Sequence, residues 1–253
     1  MNVTFEMLLI VCPLALLAGF VDSVAGGGGL ISLPAYYLAG LPPTLAAGTN
    51  KLSASIGTMA SVYRYQKSGK IIWRAGLPAA LMALPGSALG TQVLLHIPQN
   101  AVRWLVIIAL PVVALVVLKQ NKNLAVKARV PEKWLVIACF LIGFLIGFYD
   151  GLVGPGTGTF LILAFTMLLG MDAVGASGSA KVVNLASNIA SLVTLLFSGS
   201  VLFALGLPAA VFGMAGNLIG ASMTVKKGGG FIRVMLLVVL GLLLAKMVYD
   251  MVT

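Results

Sequence analysis

A chain of 253 residues that is 60% hydrophobic and 9% charged is far poorer in charge than soluble domains, of which about a quarter is charged, and a water-soluble globule is excluded as a starting point. Lys and Arg number 16 against six Asp and Glu, a formal charge of +10. These bases stand between apolar runs rather than on a face interleaved with aromatics, which excludes a nucleic-acid binder and fits loop charges that orient membrane helices.

At about 20 apolar residues per crossing, the chain supplies roughly eight to ten hydrophobic segments and leaves nothing for a soluble catalytic domain. The first runs from Phe5 to Phe20. No small-residue cleavage site follows a basic stretch there, so the segment is expected to be retained. Leu30 to Ala39, Thr44 to Tyr65, Ile71 to Leu95 and Ala101 to Leu118 follow. The first two are short for a crossing, whereas the next three can span about 30 Å of hydrocarbon. Backbone at membrane depth must be satisfied within the protein, so the glycine-rich break between the short segments predicts a re-entrant or discontinuous helical hairpin that lines a cavity or is buried.

The pattern then repeats. GFVDSVAGGGGL from Gly19 returns as GFYDGLVGPGTG 128 residues later, and GTNKLSASIGTMAS from Gly48 returns as GSAKVVNLASNIAS 130 residues later. GLPAA recurs at Gly76 and Gly206, and Arg103 falls on Arg233. The chain is read as a single transporter domain of two halves, residues 1–121 and 122–253, joined by the basic stretch LKQNKNLAVKARVPEK.

Arg64, Lys67, Lys70 and Arg74 surround the loop between segments three and four. In the second half the equivalent loop, Ser198-Gly199-Ser200, is uncharged, and Lys226, Lys227 and Arg233 mark the following one. With the linker, these loops are all cytoplasmic if each half crosses the membrane three times beside one hairpin. The expected fold is therefore an all-α polytopic membrane protein of two inverted-topology repeats, a plan common among secondary transporters.

Asp22 precedes Gly26, Gly27, Gly28 and Gly29; Asp150 precedes Gly154, Gly156, Thr157, Gly158 and Thr159. Glycines let backbone approach a ligand, and the first N–H groups of the following helix have no intrahelical acceptor, so the pair of runs is read as an anion site. Close helix packing is the competing account. Neither run is a phosphate loop or a dinucleotide fingerprint, because no Gly-Lys-Ser/Thr ending and no preceding strand is present.

Lys51 and Lys181 share one repeat position inside apolar segments, where a charge costs at least ~2.5 kcal/mol. Its compensation is Asp22 for Lys51 and Asp150 for Lys181, or a bound anion, or else the lysines snorkel. Asn184, Ser187, Asn188 and Ser191 continue a polar stripe from Lys181, as Ser55 and Thr58 do from Lys51, either lining a path or bonding neighbouring helices. Asp22 and Asp150 either carry a coupled proton or cap the helices that follow. Cys12 and Cys139 lie in apolar runs without ligand spacing, so no metal, cofactor or disulfide is expected. His96 reads as a loop residue, and Trp73, Trp104 and Trp134 as interface anchors. One histidine and no acidic cluster argue against an enzyme.

GFVDSVAGGGGLISLPA from Gly19, AAGTNKLSASIGT from Ala46, GFYDGLVGPGTGTF from Gly147 and AKVVNLASNIASL from Ala180 resemble the sulfite exporter TauE/SafE family over nearly the whole chain. The resemblance implies a multi-pass permease of the bacterial inner membrane that moves sulfur-containing anions such as sulfite, sulfoacetate or thiosulfate outward. Protons as a coupling ion and a homodimer are further partners this reading allows. It carries Asp22, Gly26 to Gly29, Asn50, Lys51, Asp150, Gly154, Gly156, Lys181 and Asn184 into the site; the position matching Asn50 is Ala180. A passive anion channel and a non-transporting accessory protein are the alternatives.

Overall fold

The structure, a computed structural model, describes residues 3–98 and 130–235, with 237, 238 and 241. The expected segment Ala101 to Leu118, with Arg103 and Trp104, and most of the basic linker lie outside the described residues. Among the described residues the first half contributes four helices: α1 (Phe5–Ala25), α2 (Gly29–Leu38), α3 (Pro43–Lys67) and α4 (Trp73–His96). After a 3₁₀ turn, Glu132–Trp134, four more follow: α5 (Leu135–Leu152), α6 (Thr157–Met167), α7 (Ala173–Phe197) and α8 (Phe203–Lys227).

The boundaries have local causes. Thr4 accepts from Met7 N to start α1, and Asp172 accepts from Val174 N and Gly175 N to start α7. Pro43 opens α3 at the position where a missing N–H costs nothing. Gly26, at φ 77°, ends α1. The first segment is thereby longer than its expected end at Phe20, because Val21, Val24 and Ala25 are buried apolar residues that extend it. At 21 residues α1 is long enough to cross a membrane, and Asp22 lies in its last turn instead of in a loop. Asp150 likewise lies in the last turn of α5.

Among the described residues five helical stretches are long and apolar enough to cross a membrane: Phe5–Ala25, Trp73–His96, Glu132–Leu152, Ala173–Phe197 and Phe203–Lys227. Large apolar side chains such as Leu9, Leu81, Leu145 and Val211 point outward from them. The protein is an all-α polytopic membrane protein. α3 is as long but carries a buried polar stripe of Thr49, Asn50, Lys51, Ser53, Ser55, Thr58 and Ser61. Such a helix is stable in hydrocarbon only when its neighbours cover it.

Glycines bring the helices together in matched pairs. Gly86 and Gly90 of α4 abut the carbonyls of Phe144 and Phe148 on α5, while Gly216 and Gly220 of α8 abut those of Leu16 and Phe20 on α1. The order of these contacts makes α4 parallel to α5 and α8 parallel to α1. Arg64 of α3 bonds Ser222 of α8, and Ser61 bonds Asn217, so those two helices are parallel as well. Lys51 meets Asn188 whereas Tyr65 meets Ser177, which makes α3 and α7 antiparallel. Thus α1, α3 and α8 run one way and α4, α5 and α7 the other.

Candidate functional site

The two chain reversals meet. A Cβ on Gly26 would strike Gly158 backbone, and one on Gly158 would strike Gly26, so the tips of the α1–α2 and α5–α6 hairpins pack backbone to backbone. The last carbonyls of α1 would be orphaned in a membrane. Tyr65 Oη donates to Ser23 O, Ser177 Oγ to Val24 O and Thr159 Oγ1 to Ala25 O, so side chains of α3, α7 and α6 satisfy three consecutive carbonyls.

Each tip carries an aspartate, and each aspartate takes its lysine from the other half. Lys51 Nζ lies 2.7 Å from Asp150 Oδ2, and Lys181 Nζ lies 2.7 Å from Asp22 Oδ2. The expected pairing within each half, Asp22 with Lys51 and Asp150 with Lys181, is replaced by this exchange. Its cause is the antiparallel packing of α3 on α7, which sets each lysine beside the opposite hairpin. Snorkelling is likewise excluded for Lys181, whose side chain is 0% exposed.

The two pairs differ in support. Asp150 also accepts from Ser187 Oγ at 2.6 Å and Thr157 Oγ1 at 2.8 Å, and Lys51 also donates to Asn188 Oδ1 at 2.9 Å. Among the described residues Asp22 adds only a 3.4 Å contact from Gly28 N. Its side chain is 18% exposed against 3% for Asp150.

A cavity of about 60 Å³ opens between the tips, α3 and α8. A single water needs about 10–15 Å³, so several waters or a small ion fit. Of the residues expected in the site, Gly26, Gly28, Gly29, Asn50, Lys51, Gly154, Thr157, Gly158, Asn184 and Asn188 line it, with Asp22 and Asp150. Gly27, Gly156, Thr159 and Lys181 do not. Gly156, at φ 84°, starts α6, and Thr159 caps α1. Sequence reasoning missed Ser32, Ser53 and Asn217 as lining residues. Asn217 was detectable as a lone amide inside an apolar helix. Among the described residues no group of three His, Cys, Asp or Glu could hold a metal ion, and Cys12 and Cys139 are separate buried thiols.

The profile of the sulfite exporter TauE/SafE family matches residues 11–247. The chain belongs to that family. It is 35% identical over 240 residues to "Probable membrane transporter protein ORF9" of a Sinorhizobium species, covering 94% of this chain and 91% of the relative. To a "Probable membrane transporter protein" of Haemophilus influenzae it is 33% identical over 250 residues, 99% and 98% of the two chains. To "Probable membrane transporter protein YfcA" of Escherichia coli K12 the identity is 34% over 256 residues, covering 98% and 94%. This TauE/SafE member is thus a multi-pass membrane protein of a transporter family, and its exchanged Asp–Lys pairs lie in the motifs that carried the resemblance.

Proposed function

We propose that the protein is a secondary transporter of the bacterial inner membrane that moves small sulfur-containing anions such as sulfite, sulfoacetate or thiosulfate by alternating access. The observation that carries this reading is the polar cavity at the meeting of two glycine reversals, bordered by Asp22, Lys51 and Asp150. Helix N-termini, amide side chains and a lysine supply donors for an oxyanion there without exposing it to lipid. The family's name supplies the sulfite class.

The halves act as inverted repeats in this scheme, residues 1–121 against 122–253. Support comes from the opposed directions of α1 and α5 and from the reciprocal glycine contacts. It comes too from the basic residues: the Arg64–Ser222 bond brings the charged ends of α3 and α8 to one side, with Arg74 against Glu132 beside them. That side is the cytoplasmic one by the positive-inside rule.

As two ion pairs, the buried quartet is neutral, so an entering anion needs a compensating charge. A proton on Asp22 provides it. Asp22 faces Lys181 directly, with Tyr65 bonded to the adjacent Ser23 and the Lys51–Asp150 pair across the cavity. Asp150, held by three partners, keeps Lys51 in place. Protein reconstituted in liposomes should show sulfite counterflow, faster uptake when sulfite is trapped inside, which a channel does not give. Absence of flux for sulfite, sulfoacetate and thiosulfate alike would overturn the reading.

A further inference from the structure

Among the described residues, Thr58 Oγ1 is the one buried side-chain oxygen or nitrogen without a hydrogen-bond partner. Thr58 is 1% exposed and lines the cavity. Other helical threonines bond the carbonyl four residues back, as Thr49, Thr194 and Thr224 do, or a group of a neighbouring helix, as Thr91 and Thr159 do. Thr58 does not, and an unpaired buried hydroxyl is a cost that folding alone gives no reason to keep.

We propose that Thr58 is a cargo-binding residue whose hydroxyl donates to an oxygen of the transported anion, and that the protein holds this anion at one place only, on the first-half side of the cavity. The proposal rests on the transport reading above.

The repeat shows why only one half offers the site. Thr58 occupies the position of Asn188, whose Oδ1 is engaged by Lys51. The shorter threonine leaves Lys181 to Asp22 and its own oxygen uncommitted. Asn50 and Ser53, which line the cavity, correspond to Ala180 and Val183. Those two belong to a dry cluster with Ala83, Ile142 and Leu161. At these two positions the mirrored place carries hydrocarbon where the first half offers an amide and a hydroxyl, and the Ser87 hydroxyl, at the position matching Asn217, is already committed to Ser187 and Ser191.

The test compares wild type, Thr58→Val and Thr58→Ser in sulfite counterflow, with melting in detergent at zero and saturating sulfite. Valine keeps the shape without the hydroxyl. We expect it to raise KM about 10-fold or more, the effect of losing one hydrogen bond to a charged partner, while melting without sulfite stays the same or rises. Serine should stay within about threefold of wild type. A wild-type KM for Thr58→Val would overturn the assignment, as would equal losses for both variants, which would mark a packing role. If wild type neither transports nor is stabilised by sulfite, sulfoacetate or thiosulfate, the transport reading fails and this assignment fails with it.

Discussion

Lys51 on α3 of the first half and Asp150 on α5 of the second are joined at 2.7 Å, and Lys181 and Asp22 form the reciprocal pair at the same distance. Each half thus supplies the counter-ion that makes burial of the other half's lysine tolerable. Removing one partner of such a pair leaves an uncompensated buried charge, which costs about 3–5 kcal/mol. Asp150→Asn should therefore lower the melting temperature sharply and reduce monodisperse protein in detergent. Lys51→Met combined with Asp150→Leu should recover the folded protein without recovering transport.

Asp22→Asn takes the counter-ion from Lys181, whose side chain is fully buried, so this variant too should melt below wild type. The positive charge left beside the cavity is one that a bound anion offsets, so sulfite should raise the melting temperature of Asp22→Asn by more than it raises that of wild type at the same pH. Equal stabilisation of the two proteins would take Asp22 out of the charge balance of the site.

The contact between hairpin tips predicts a steric result. Gly158→Ala would push a methyl into Gly26 backbone, where both neighbours are backbone and neither can rotate aside. Folded yield and transport should both fall. Gly40→Ala is the control: Gly40 has positive φ, at 80°, but nothing lies within 4 Å of its missing Cβ. The loss there should be about 1–2 kcal/mol of strain, with transport kept.

Tyr65 ties the α1 tip to α3 and α7 near the end that carries Arg64 and Lys67. Tyr65→Phe removes those bonds, at about 1–3 kcal/mol for the acceptors left behind. That should favour the state open toward the basic side. With Cys12 and Cys139 replaced, a cysteine placed at Ser32 in the cavity wall should react faster with an impermeant maleimide in inside-out vesicles than in the Tyr65 parent.

Much of this protein was written in local pattern. Hydrophobic runs marked α2, α3 and α4 to within a few residues, because lipid imposes length and apolarity on each element separately. The recurrence of GTNK as GSAK, and of the two Asp-glycine runs, pointed to the residues that border the cavity. The end of α1 was misplaced because glycine and aspartate look like loop chemistry until the burial of Val24 and Ala25 is known.

What only tertiary structure decided was who meets whom. Sequence spacing joins Asp22 to Lys51 and Asp150 to Lys181; antiparallel packing of α3 on α7 exchanges those partners. The same packing turned Thr159 into a cap, buried Lys181 away from the cavity, and left Thr58 facing it without a bond. Periodicity reports the solvent around one helix at a time, whereas a counter-ion or an unsatisfied hydroxyl is a relation between helices far apart in the chain.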